Sequence, residues 1–143
     1  MITVIKSPFV QYKLTILRNK KTSNTVFRQT MNEISYLIAS DVLQYVPFKK
    51  QTIETPLKKM SGTALGQPII LVPILRAGLG LLEGFAKFLP EAEKGHIGLY
   101  RDEQTYEPVE YLFKLPRVKN KKVLILDPML ATCLLYTSPS PRD

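Results

Sequence analysis

Two points in the chain place a chemically useful side chain directly behind an apolar run: Arg76 after Pro68–Leu75, and Asp127 after Val123–Leu126. Runs of this kind suit strands buried on both faces of a parallel sheet, and open α/β sheets bind ligands where loops leave the carboxyl ends of their strands. A guanidinium at a strand end packs poorly, yet its fixed fork of donors grips phosphate well. Gly78 and Gly80 follow Arg76. They would let backbone approach an anion at a helix N-terminus, although glycines that merely turn the chain look the same. The second point reads Asp127-Pro128-Met129-Leu130-Ala131-Thr132. An acid there can hydrogen-bond ribose hydroxyls, and a threonine ahead of a helix offers hydroxyl and amide donors to phosphate. An aspartate that caps a turn before proline is the structural alternative.

The elements that must position these residues follow from periodicity. Phe27, Met31, Ile34, Ile38, Val42 and Tyr45 recur at spacings of three and four, so a helix is predicted over Thr25–Tyr45, capped by Thr22-Ser23-Asn24 and ended by Pro47. An arm around Pro8 precedes it. Gln51–Thr55 alternates as a short strand stopped by Pro56. After the buried strand Pro68–Leu75, the residues Leu79, Leu82, Phe85, Ala86 and Leu89 form one helical face before Pro90. Ile97–Tyr100 and Val109–Phe113 read as a hairpin around the polar stretch Arg101–Pro108, and Val123–Leu126 is a second buried strand. Strand, helix and strand in this order indicate an α/β fold with parallel strands.

Composition excludes several classes. With 143 residues, 45% hydrophobic and 22% charged, the chain suits one globular domain and is neither disordered nor fibrous. Its longest apolar stretch falls far short of the ~20 residues of a membrane span. Met1–Lys6 lacks the pattern of a secretory leader, and Cys133 is the one cysteine, so a cytoplasmic location is expected. The net charge of +8 is lopsided: within residues 1–60 the only acids are Glu33, Asp41 and Glu54. Its lysines fall in scattered pairs such as Lys20-Lys21, Lys49-Lys50 and Lys58-Lys59, which reads as solvated surface and not as a nucleic-acid face. His96 has no acid–base partner at a readable spacing, and Tyr100 and Tyr111 read as packing residues.

Three segments in order carry a resemblance: Val72-Pro73-Ile74-Leu75-Arg76-Ala77-Gly78-Leu79-Gly80, then Leu99–Val109, then Leu126-Asp127-Pro128-Met129-Leu130-Ala131-Thr132. Together with Pro8, Lys13-Leu14-Thr15, Arg18, Thr22 and Phe27-Arg28, they resemble uracil phosphoribosyltransferases over residues 1–132. The resemblance implies a type I phosphoribosyltransferase-like fold, a parallel sheet flanked by helices. It also implies a pyrimidine-salvage reaction joining uracil to 5-phosphoribosyl 1-diphosphate, with UMP and diphosphate as products. On the family's pattern Arg76 and Arg101 contact the donor's diphosphate. Asp127, Pro128, Met129, Leu130, Ala131 and Thr132 begin the loop for ribose and its 5′-phosphate, and Asp102, Glu103, Gln104 and Thr105 belong to a mobile loop. The implied Mg²⁺ is carried by the diphosphate substrate, and no protein metal site is expected. A homo-oligomer and, in some members, activation by GTP are implied as well; the catalytic residues stay unassigned. The Asp127-Pro128 pair, where type I relatives commonly carry two acids, is itself a mark of the uracil-specific family.

After Thr132 the family continues with glycines and a serine, which wrap the 5′-phosphate in backbone amides. Here Cys133-Leu134-Leu135 stands instead, and residues 133–143 read as a non-native tail. Residues 1–132 are then the N-terminal portion of one domain without its uracil pocket. On that reading the chain alone makes no UMP, and the alternative function is a non-catalytic nucleotide-binding or interaction module.

Overall fold

The computed structural model describes residues 2–129 apart from Glu103 and Tyr106; of Arg101, only the backbone is described. The expected arm around Pro8 is a helix, α1 (Pro8–Arg18). The Ser7 hydroxyl accepts from the Val10 amide, and Pro8 occupies the first turn, where its missing N–H costs nothing. Helix α2 (Asn24–Leu43) starts the same way, with the Ser23 hydroxyl accepting from the Val26 amide.

Next comes an antiparallel ribbon, β1 (Phe48–Glu54) and β2 (Lys59–Leu65), paired from Phe48↔Leu65 to Glu54↔Lys59. The short strand expected at Gln51–Thr55 is the second half of β1, which starts earlier and has a partner, β2, that was not expected. The turn explains why: the Thr55 hydroxyl accepts from the amides of Leu57 and Lys58, and Thr55 N–H donates to the Lys58 carbonyl at 3.0 Å. The strand ends before Pro56, as expected, and Pro56 sits in a tight reversal into β2.

The second sheet is built around β3 (Ile69–Leu75). Helix α3 (Leu79–Phe88) leads from it to β4 (Glu93–Lys94) and β5 (His96–Arg101), and β5 turns back antiparallel into β6 (Pro108–Lys114). Strand β7 (Lys122–Leu126) returns to pair parallel with β3, from Ile69↔Lys122 to Pro73↔Leu126. Both β4 and β7 pair with Ile70 and Leu71, so they occupy opposite edges of β3. Only Gly95 separates β4 from β5, which pairs further along β3 at Ile74↔Ile97. The spatial order is therefore β7, β3, β4 with β5, then β6. His96 begins β5.

Burial on both faces of β3 follows its period of two. Ile69 and Leu71 join Ala39, Leu81, Phe85 and Leu126 in a core beneath α2 and α3. Ile70, Val72 and Ile74 join Ile97 and Leu99 on the other face, where Leu115, Val118 and Val123 pack against them. The α/β class and its parallel strands are thus as the sequence predicts. Among the described residues no helix is long and apolar enough to cross a membrane.

Candidate functional site

The site lies at the carboxyl edge of the second sheet. Because Pro73 pairs with Leu126, the chain leaves β3 and β7 side by side, carrying Arg76 and Asp127 out at one edge. On the other side of β3, Gly98 pairs with Leu75, and β5 continues beyond that pair to Arg101. Three loops predicted separately from sequence thus start from adjacent parallel strands, the arrangement in which open α/β sheets bind ligands. Arg76 is exposed, and its peptide bond with Leu75 is cis. Among the described residues no side-chain hydrogen bond or ion pair holds its guanidinium.

Gly78 behind Arg76 serves the protein's own backbone. A Cβ there would collide with the Leu126 carbonyl oxygen and lie 2.6 Å from Ile74 N and 2.8 Å from Ile74 O. The start of α3 is therefore pressed onto the ends of both β3 and β7. Its amide donates to the Ile74 carbonyl at 2.7 Å, and Leu81 and Leu82 donate to its carbonyl at 3.1 and 3.2 Å. The close approach predicted at this glycine is real on its Cβ side, where its neighbours are the chain's own backbone atoms. Gly80 likewise faces Met31, whose Cγ would lie 2.9 Å from an added Cβ.

Asp127 is half-buried and accepts from the Met129 amide through Oδ1 at 3.1 Å. The turn-capping reading of this residue is thus observed, and among the described residues its other oxygen has no donor from the protein. Leu130, Ala131 and Thr132 lie outside the described residues, as do Cys133 and the rest of the tail through Asp143.

The hairpin connection is shorter than the polar stretch suggests, because Arg101 and Pro108 pair with each other. Asp102 organises it: Oδ1 accepts from the amides of Gln104 and Thr105, both at 2.8 Å, and its own amide donates to the Glu107 carbonyl at 2.9 Å. Glu103 is outside the described residues. The Thr105 amide, then the Gln104 amide, hold the Asp102 carboxyl below the ordinary aspartate range. A depressed folded value means the turn is supported above the ordinary pKa and loses that support as pH falls through the lowered one. Acidification should therefore move the NMR amide signals of Gln104 and Thr105 with a midpoint below that of a free aspartate. Asp102→Asn should flatten both profiles, and an unaltered midpoint would count against this turn.

Behind the loops a groove of about 770 Å³ runs between the helices, lined by Arg18, Arg28, Asn32 and Glu83 together with Ala77, Gly80, Pro128 and Met129. Asn32 Nδ2 donates to Glu83 Oε2 at 2.6 Å, tying α2 to α3 beside it. Arg18 and Arg28 reach this groove only through the packing of α1 and α2, which no motif spacing records. Tyr100 and Tyr111 lie across the hairpin from each other, with ring centroids 6.1 Å apart, and pack on each other as the sequence suggests.

Comparison with known proteins supplies the context. The family model described as uracil phosphoribosyltransferase matches residues 4–135. A uracil phosphoribosyltransferase of Levilactobacillus brevis is 47% identical over 131 residues, which is 90% of this chain and 63% of that protein. One of Finegoldia magna is 47% identical over 133 residues, covering 92% of this chain and 64% of its own length. The solved structure of the AQ2163 protein from Aquifex aeolicus superposes with a TM-score of 0.83 at 35% identity, over 92% of this chain and 64% of that one. The chain thus spans a little under two thirds of the length of the relatives it matches.

Proposed function

The chain belongs to the uracil phosphoribosyltransferase family, and we propose that it carries the phosphoribosyl diphosphate half of an enzyme that converts uracil and that donor into UMP and diphosphate. The reading is carried by one observation: Arg76 and Asp127 leave neighbouring parallel strands at the same sheet edge, locked together by Gly78 against Leu126. In the reaction the bond from the sugar's anomeric carbon to diphosphate breaks and a bond to a uracil ring nitrogen forms, with loss of the nitrogen's proton. Positive charge builds on the sugar while negative charge builds on the leaving group. Arg76 and Arg101 take the diphosphate, whose Mg²⁺ arrives with it, and preorganised cations stabilise that developing charge strongly in a water-poor site. Asp127, whose second carboxylate oxygen meets no donor among the described residues, takes a ribose hydroxyl, and the residues through Thr132 lead toward the 5′-phosphate. The Asp102–Thr105 turn closes over the donor and keeps water from the cationic sugar. A cytoplasmic homo-oligomer, activated by GTP, with neither nucleic acid nor membrane as partner, completes the proposal.

The test joins residues 1–132 to the part of the Levilactobacillus brevis protein that lies beyond its match, and follows labelled uracil into UMP with and without the donor. Donor-dependent UMP is the expected result. A folded chimera that binds the donor without turnover would favour a binding module, and one that binds neither substrate would overturn the reading.

A further inference from the structure

Strand β6 carries one residue more than its partner can match. Gly98 pairs with Leu112, and the next residue of β5, Leu99, pairs with Glu110, so Tyr111 has no partner across the ladder. Two residues of β6 thus oppose one of β5, the pattern of a β-bulge. Both turn the same way. A Cβ built on Gly98 would lie 2.5 Å from Tyr111 Cζ, 2.6 Å from its Cε2 and 3.0 Å from the Leu112 Cβ. The Tyr111 ring therefore rests on the bare Cα of Gly98, with the Tyr100 ring beside it at 6.1 Å between centroids. Little of this is core packing, since Tyr111 is 53% exposed.

The place of the bulge gives it a task. Leu75↔Gly98 is the last pair between β3 and β5, one residue ahead of Arg76. Beyond it the hairpin is held only by its own ladder, so the bulge sits where the tip leaves the sheet. Leu99 and Tyr100 alone separate Gly98 from Arg101, whose pairing with Pro108 closes the hairpin beneath the Asp102 turn. A bulge bends its strand and raises the local twist, which re-aims whatever lies beyond it. From Gly98 to Arg101 the strand spans about 10 Å, so a change of about 10° in its direction shifts the Arg101 backbone by roughly 1.7 Å. A misplacement of about 1 Å at a reacting site can cost about 10²-fold in rate.

We infer that Tyr111, seated on Gly98, is a positioning residue for the donor: the bulge sets the direction in which the hairpin tip carries Arg101 and the Asp102–Thr105 turn toward Arg76. The inference deepens the proposed function and rests on it for the identity of the donor. Two measurements test it. In the 143-residue chain, residual dipolar couplings of the Asp102, Gln104 and Thr105 amides, read against those of β3, report the direction of the tip without any turnover. Tyr111→Ala should change them while the β3 couplings stay, and Tyr111→Phe, which keeps the ring atoms that meet Gly98, should restore them. In the chimera described above, Tyr111→Ala should raise KM for phosphoribosyl diphosphate about tenfold while KM for uracil moves by less than about twofold. Tyr111→Phe should recover the parent values. Gly98→Ala should act in the same direction and add little to Tyr111→Ala, because both substitutions break one contact. A tip direction unchanged in Tyr111→Ala overturns the inference, and so does a loss confined to the melting temperature with the donor kinetics of the parent. A parent chimera that makes no UMP counts against the proposed function instead; a turned tip in Tyr111→Ala then upholds the aiming of the hairpin, and an unturned one overturns it.

Discussion

Gly78→Ala is expected to destabilise the fold by about 3 kcal/mol, lowering the melting temperature by about 10 °C at this chain length. Two effects of opposite sign compete. With φ −61° and ψ −19°, Gly78 has ordinary helical backbone, so alanine fits its torsions and would stabilise by restricting the unfolded chain. That gain is about 0.4–1 kcal/mol. Against it stand three backbone atoms within 2.8 Å of the new Cβ, one from Leu126 and two from Ile74. Backbone cannot rotate out of the way as a side-chain tip can. The methyl is accommodated only if α3 lifts from the strand ends, which parts β3 from β7 where Arg76 and Asp127 leave the sheet. Thermal unfolding by circular dichroism checks this, and a melting temperature equal to or above that of the parent chain would show the contact to be soft. Gly84→Ala tests the same physics elsewhere, since its Cβ would meet Ser35 and Tyr36 where α2 crosses α3.

Gly78 also marks the limit of what the sequence discloses. The apolar runs ending at Leu75 and Leu126 are legible because strands buried on both faces need no alternation, and the polar residue after each run marks where the sheet opens to solvent. The hairpin of β5 and β6 is legible because two short runs rich in apolar residues flank the polar stretch Arg101–Pro108. The ribbon partner Lys59–Leu65 is not, because glycine, serine and alanine interrupt its pattern and its side chains are largely exposed. Helix α1 hides behind Pro8, a residue that ends helices when interior and starts them when first. At Gly78 the residue type discloses a close approach but not its partner, since an anion and a carbonyl oxygen demand the same missing Cβ. The backbone neighbour follows from the pairing of Pro73 with Leu126, and that pairing spans more than fifty residues of chain. The groove at Arg18 and Arg28 is illegible for the same reason: it is made by packing between helices.

Arg76→Ala, in the chimera that extends residues 1–132 with a relative's carboxyl-terminal part, is expected to lower kcat/KM for the donor by about 10²–10³, or about 3–4 kcal/mol of transition-state stabilisation. Most of the loss should fall on kcat. The diphosphate is already anionic in the ground state, where Mg²⁺ and water satisfy it, whereas the charge shed from the breaking bond appears only in the transition state. Arg76→Lys should recover a small part, because a lysine restores charge but not the paired donors of the guanidinium. Stability separates this effect from a structural one. Arg76 is exposed, and among the described residues its guanidinium makes no hydrogen bond or ion pair, so both variants should melt with the parent. Steady-state kinetics beside thermal melts therefore read two neighbouring residues in opposite ways: Gly78 through stability and the placement of both loops, Arg76 through the rate alone. If Arg76→Ala kept full kcat, the diphosphate would have to be held elsewhere on this edge, and the assignment of the β3 loop to the leaving group would fail.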